Sequence, residues 1–291
     1  GFSGTANAMS LPEDYPIDEY KVGFEWSAPW RYKRLWEFLD TPEPHSMEDS
    51  LALQRDYHSV LTRRVLALLP ELARTNPNSG GPLLASWDQR LDADSAAAAL
   101  WNVWFYRYLS PALGRSLNED EAPPAGTLST QTTLALLGTD KGQATAVTSL
   151  REAWAATSEL LGGDASKWQW GDLHQIVFKH PLLDRANANL AEHMRIKPYP
   201  RGGSANTTNN TGFGADNFNV RSGASFRMVV DVGNWDAARM TSAPGQSGDP
   251  RSPFYDNLLE NWATEGHVPM LFSREKVEES AVFTIKLTPS N

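Results

Sequence analysis

Hydrophobic spacing divides this chain into three stretches. Residues 1–8 read as a short strand closing in a turn, and residues 20–26 alternate loosely enough to make a second strand. Pro29 blocks continuation of that strand and pre-sets the backbone for a helix. From residue 31 to about residue 161 the repeat becomes helical. Leu35, Phe38 and Leu39 recur at helical spacing, and Ser46-Met47-Glu48-Asp49 has the form of a capping box, a serine cap with an acid three residues on. Leu51, Tyr57, Val60, Leu61, Val65, Leu68 and Leu69 form an apolar stripe that carries Pro70 with a kink and ends by Asn76-Pro77-Asn78-Ser79-Gly80-Gly81. Trp87-Asp88 follows a short apolar turn of helix. Asp94-Ser95 caps a helix over 96–109, whose Trp101, Trp104, Phe105 and Tyr108 make a buried face. Helices return at 130–137 and 142–161 after a proline-rich connection at 118–126.

The last third is organised around residues 202–256. A glycine-rich approach, Gly202-Gly203-Ser204-Ala205-Asn206-Thr207-Thr208-Asn209, leads to Ser225-Phe226-Arg227-Met228-Val229-Val230-Asp231-Val232. The run over 226–232 is too continuously apolar for a one-sided strand, so it predicts a strand covered on both faces. A loop rigidified by Pro244, Pro250 and Pro253 follows. Residues 255–266 predict an amphipathic helix with Leu258, Leu259 and Trp262 inward and Gly266 as its stop. Met270 to Phe272 is a brief apolar piece, 275–280 a polar helical turn, and the alternation over 282–287 predicts a terminal strand.

Composition narrows the function classes. Lys plus Arg number 26 against 35 Asp plus Glu, a net charge of −9, which argues against nucleic acid or an anionic membrane as partner. The absence of cysteine excludes disulfides, thiolate metal sites and a cysteine nucleophile. No apolar run reaches the roughly 18 residues a membrane helix needs, and the first residues lack a signal-peptide pattern. Eleven tryptophans serve either as core or as a sugar-stacking platform, and their helical spacing favours the core. His174 and His180 lie six apart, whereas helical metal ligands prefer three or four, so they read as hydrogen-bonded structural histidines. Gly245-Gln246-Ser247-Gly248-Asp249 is not a nucleophile elbow, because Asp249 stands where that motif has glycine.

Several strings, in order, resemble the penicillin acylase family of N-terminal-nucleophile hydrolases, near the C-terminal end of its β chain. They are Ala6-Asn7-Ala8 followed by Asp14-Tyr15-Pro16, Trp26 with Arg31 five residues later, Trp87-Asp88, and Trp168-Gln169-Trp170-Gly171 before His180-Pro181. Gly202-Gly203 with Asn206-Thr207, the run 223–231, and Gly245-Gln246-Ser247-Gly248 with Ser252-Pro253-Phe254-Tyr255-Asp256 continue the match. Trp262, Gly266 and Leu287-Thr288-Pro289 complete it. Phe254 departs from the pattern, where histidine is expected more often.

The resemblance implies an α+β fold, part of an αββα sandwich with a large helical insertion. Residues 1–30 would give strands of the catalytic sheet and the oxyanion-hole segment, 31–167 the helical region, and 168–291 the return to the sheet. It implies hydrolysis of an N-acyl amide through an acyl-enzyme on an N-terminal serine whose own α-amine, with a pKa near roughly 7.7 to 8, is the base. That serine would lie outside this sequence, because the chain opens on Gly1 and reads as a C-terminal segment of a longer polypeptide. Two catalytic-site residues carry over: Asn7, the oxyanion-hole amide, and Arg31, a planar cation suited to holding that amide or attracting a substrate carboxylate. The implied partners are the upstream α chain, the first part of the β chain and a small N-acyl substrate, with no nucleic acid and no membrane. No cofactor is needed for the chemistry. A structural calcium in the full protein is compatible with the family, with Asp18 or Glu19 near the aligned acidic ligand and neither assigned. Periplasmic or secreted location follows from the family alone. The alternative reading is a non-catalytic scaffold or small-molecule binding domain.

Overall fold

Short side chains that accept from the first free N–H groups begin most of the helices. The computed structural model describes residues 1–12, 14–23, 25–117 and 128–289. Helix α1 spans Trp30–Leu39 and α2 Met47–Gln54, where Ser46 and Asp49 form the reciprocal capping box. Helices α3 (Val60–Ala67), α4 (Gly81–Ala85) and α5 (Ala96–Val103) follow, with Ser59 capping α3 and Ser95 capping α5. A π-helical stretch, Trp104–Leu109, leads directly into α6 (Ser110–Leu117). Helices α7 (Thr130–Leu137) and α8 (Asp140–Leu161) are capped by Ser129 and Thr139. The predicted connection at 118–126 lies outside the described residues.

The helical core forms around the aromatic face of α5 and the π-helical stretch. Trp101, Trp104 and Phe105 are buried; Trp101 stacks on Phe105 at 5.0 Å, and Trp104 Nε1 donates to Ser149 Oγ on α8 at 3.0 Å. Trp101 and Trp104 are 2% and 0% exposed and so offer no ring face to a sugar; these tryptophans are core. Tyr108 is only half-buried, a correction to the predicted face. Pro70 is not carried inside a kinked helix: α3 stops at Ala67, and Pro70–Arg74 is a separate 3-10 turn, because proline lacks the N–H that would continue the ladder.

Two small sheets occupy the remainder, and the fold class is α+β. After α9 (Trp170–Leu173) come β1 (Gln175–Ile176), α10 (Ala188–Met194), β2 (Tyr199–Pro200), β3 (Thr211–Phe213) and β4 (Val220–Gly223). These strands order as β2-β1-β4-β3, with β1 and β4 parallel. Strands β5 (Arg227–Val229), β6 (Arg239–Thr241) and β7 (Val268–Pro269) form an antiparallel sheet, with α11 (Leu259–Ala263) before β7 and α12 (Arg274–Ser280) after it.

Several predicted strands differ. Among the described residues, neither 1–8 nor 20–26 nor 282–287 forms a strand. A strand needs a neighbouring edge to complete its ladder, and none of these segments lies on one. Val282, Phe283, Ile285 and Leu287 are consequently 71–95% exposed. The run 226–232 is not covered on both faces. β5 lies at a sheet edge with Arg227 and Val229 buried, while Phe226, Met228 and Val232 are exposed. The predicted helix 255–266 shortens to α11, since Tyr255 is held in a turn by its N–H bond to Ser252 O. Its left-handed residue is Glu265, with φ 66°, rather than Gly266.

The glycine-rich approach joins the helical and sheet regions. A Cβ on Gly202 would lie 2.6 Å from Tyr57 Cε2 and 2.7 Å from Leu91 O, and Gly203 adopts φ 85° while its N–H bonds Leu91 O at 2.7 Å. Only glycine permits that approach. Trp170 Nε1 donates to Gly203 O at 3.0 Å, and His174 stacks on Trp170 with ring centroids 4.6 Å apart. Both His174 nitrogens are engaged, Nδ1 with Phe218 O at 2.7 Å and Nε2 with Thr211 Oγ1 at 3.0 Å. Because a carbonyl only accepts, Nδ1 carries the proton; Thr211 Oγ1 lies 3.0 Å from both Nε2 and Gly202 O, so its single hydroxyl proton serves one of these two acceptors. Burial, the largest influence, pushes the His174 pKa down to about 4 from 6.5.

Gly202→Ala should destabilise the protein by about 1–3 kcal/mol in denaturant unfolding, because backbone and a buried ring both obstruct the new methyl group; an unchanged midpoint would contradict the packing. The unfolded chain binds the His174 proton from pH 6.5 downward and the folded chain resists until about 4, so stability falls as pH drops through that window. The His174 contribution to that fall is ~3 kcal/mol. Unfolding free energies equal at pH 7 and pH 4 would count against a neutral buried ring.

Candidate functional site

Asn7 and Arg31 come together. The Asn7 side chain is exposed between the buried Ala6 and Ala8, and its backbone takes φ 61°. Asparagine tolerates this left-handed conformation better than most residues with a Cβ. Its carbonyl accepts from Ser27 N–H at 2.9 Å, tying the loop to the turn before α1. Arg31, in the first turn of α1, donates from Nη2 to Asn7 Oδ1 at 3.0 Å. A guanidinium can only donate, so this bond fixes the orientation of the amide: Oδ1 faces Arg31 and the two Nδ2 protons face away. No described side chain or carbonyl takes those protons in a hydrogen bond. Partial burial lowers the Arg31 pKa from its ordinary value, leaving it a cation at neutral pH.

Helix α1 holds Arg31 in place through its other side chains. Trp30 is 4% exposed and donates from Nε1 to Thr130 Oγ1 at 2.7 Å. Arg34 Nε bonds the buried Asp56 carboxylate at 2.5 Å, and Glu37 pairs with Arg63 on α3. Burial alone would raise the Asp56 pKa; hydrogen bonds from His58 and Arg34 outweigh it and hold the carboxylate below its usual range. Phe2 packs edge-on against Trp36 at 4.6 Å, so the segment carrying Asn7 is bound to α1 at two places.

A cleft of about 750 Å³ beside the end of α1 is lined by Phe2, Trp36, Leu39, Pro42, Pro44 and His45 among others, and neither Asn7 nor Arg31 borders it. Ser247 Oγ accepts from Asp249 N–H at 3.1 Å and bonds no histidine among the described residues, so it has no base. For calcium, Asp18 and Glu19 are exposed, and no three His, Asp or Glu side chains among the described residues gather as metal ligands. No helix among the described residues is long and apolar enough to cross a membrane.

Sequence reasoning missed a second polar constellation. Arg201 and Arg227, 1% and 4% exposed, lie beside Tyr57 and Glu265. The available signal was an arginine in the middle of the apolar run at 226–232.

The penicillin amidase family model matches residues 1–279. The chain is 28% identical over 309 residues to the penicillin acylase 2 proenzyme of a Pseudomonas species, covering 100% of this chain and 39% of that protein. It is 26% identical over 300 residues to the acyl-homoserine lactone acylase QuiP of Pseudomonas fluorescens, covering 90% of this chain and 35% of that one. The chain thus spans between about a third and two fifths of the length of these curated relatives. A solved thermostable penicillin G acylase from Alcaligenes faecalis aligns with a TM-score of 0.44 at 17% identity, over 94% of this chain and 52% of that one. With the family model covering all but the last twelve residues, the chain belongs to the penicillin amidase family.

Proposed function

We infer that this chain supplies the oxyanion-stabilising amide of an N-acyl amide hydrolase. The carrying observation is the Arg31–Asn7 bond of 3.0 Å, which turns the Nδ2 donors of Asn7 outward. When a nucleophile attacks an amide carbonyl, negative charge collects on the oxygen. A rigid neutral N–H aimed at that position stabilises the charge without reorganising. Asn7 is the donor, and Arg31 is the positioning residue whose positive charge also polarises the amide.

On this reading the nucleophile is an N-terminal serine outside the sequence. Its hydroxyl gives a proton to its own α-amine and attacks the acyl carbon; the amine leaves with a proton, and water then releases the acid. Residues outside the chain would also furnish the second oxyanion donor and the walls of the acyl pocket, consistent with the fraction of its relatives' length that the chain spans. The names of the relatives point to two substrate classes, acyl-homoserine lactones and penicillins. Both present an acyl group on an amide nitrogen. Periplasmic or secreted placement belongs to the same proposal, as does any structural calcium, whose ligands would come largely from elsewhere in the protein.

In the full-length protein, Asn7→Asp keeps the shape of the side chain, an acceptor for Arg31 and tolerance of the left-handed backbone, but removes the Nδ2 donor. Its kcat on an N-acyl substrate should fall about 10²–10³-fold with Tm within a few degrees of the parent; undiminished turnover would remove Asn7 from the chemistry. Arg31→Ala should lower kcat about tenfold or more while KM changes little, since a charge-assisted hydrogen bond of ~1.5–3 kcal/mol no longer holds the amide. A rise in KM at constant kcat would instead make Arg31 a binder of substrate.

A further inference from the structure

Two buried arginines converge on one carbonyl. Arg201 Nη1 and Arg227 Nη2 both donate to Trp262 O, at 3.2 and 2.9 Å, and both guanidinium groups lie near the Trp262 ring, at 4.3 and 5.9 Å. One carboxylate faces them: Glu265 Oε1 is 3.7 Å from Arg201 Nη1 and already accepts from Asn209 Nδ2 at 3.1 Å. Two cations against one anion leave an excess positive charge in a buried place, an arrangement that costs heavily unless it is compensated.

The unpaired atoms share one character. Arg201 Nε, Arg227 Nε and Arg227 Nη1 are buried without a hydrogen-bond partner, and the buried Tyr57 hydroxyl, outside good hydrogen-bond geometry, has the Glu265 carboxylate as its neighbouring acceptor. Three of these are pure donors and the fourth can donate. Such a set calls for an acceptor, preferably a charged one. One further cation, Arg55, adds to the positive field. Arg55 uses its Nε on Leu51 O and makes no ion pair among the described residues. His267, bonded through Nε2 to Gln54 Oε1 at 3.2 Å, is pushed down to about 4 by burial first and then by Arg227 and Arg55. Arg227 itself falls to about 10, mainly through burial and then through Arg201.

Glu265 and Arg55 also border an open cleft of about 480 Å³, together with Arg34, Asp56, His58 and Arg90. The two acids on its wall are committed, Asp56 to Arg34 and His58, and Glu265 to Arg201 and Asn209. We propose that Arg201, Arg227, Tyr57 and Arg55 form a binding site for a small exchangeable monovalent anion, halide or carboxylate, reached through the cleft beside Glu265. Neither Asn7 nor Arg31 borders this cleft.

The direct test is diffraction from the full-length protein soaked in sodium bromide. An anomalous bromide peak within hydrogen-bonding distance of Arg227 Nη1 or Arg201 Nε is expected. A parallel soak in sodium acetate separates the two chemistries, because planar acetate density at the same place identifies a carboxylate site. In solution, bromide or acetate replacing a bulky sulfonate at constant ionic strength should raise Tm saturably. Arg55→Gln, at the mouth of the cleft, should weaken that binding about tenfold, and Glu265→Gln, which removes the competing carboxylate, should tighten it about tenfold. Water alone at the site with a Tm indifferent to these anions would overturn the proposal, as would a carboxylate side chain of the protein itself filling the place.

Discussion

One charged hydrogen bond, from Arg31 to Asn7, links the helical region to the extended segment before it and sets the direction of an otherwise free amide. Its geometry depends on helix α1 being immobile. Trp30 fixes the start of that helix against Thr130, Arg34 fixes its middle against Asp56, and Glu37 ties it to Arg63. Each of these contacts is modest alone. Together they remove the freedoms that would let the guanidinium swing away, and an oxyanion donor is useful only when its position is settled before charge develops.

Positioning of this kind places polar groups inside the protein, and the chain keeps nearly all of them hydrogen-bonded. Thr207, Asn209 and Thr211 are buried and bonded to neighbouring backbone or side chains along the glycine-rich segment. His174 is neutral and engaged at both nitrogens. That knot seats Gly202 and Gly203 on the Tyr57 ring, where any larger residue would collide. Internal pairing falls furthest short around Arg201, Arg227 and Tyr57, which hold four of the nine buried side-chain atoms without a partner among the described residues.

The helices were legible because their signals are local. Serine caps at 46 and 95 and the aromatic spacing from Trp101 to Phe105 appear in the structure as written in the sequence. Strands were less so, since a strand is defined by its neighbour. The alternation over 282–287 is real, yet those side chains lie exposed beside no edge. Arg227 misled for a different reason: an apolar run predicts a covered strand, whereas here the arginine points inward and Met228 outward. The contact between Asn7 and Arg31 joins residues 24 apart and could be proposed only through family resemblance; periodicity contains no information about which loop meets which helix turn. Glu265 in the left-handed conformation, next to a glycine that does not adopt it, was likewise invisible to spacing.

The central claim concerns where a single amide points during the reaction. The most direct measurement is a crystal structure of the full-length protein reacted with a phosphonate or boronate that mimics the tetrahedral intermediate. The account predicts Asn7 Nδ2 about 2.7–3.1 Å from the analogue's oxyanion, with Oδ1 still on Arg31. An analogue bound covalently, with Asn7 outside hydrogen-bonding reach of that oxygen, would contradict it.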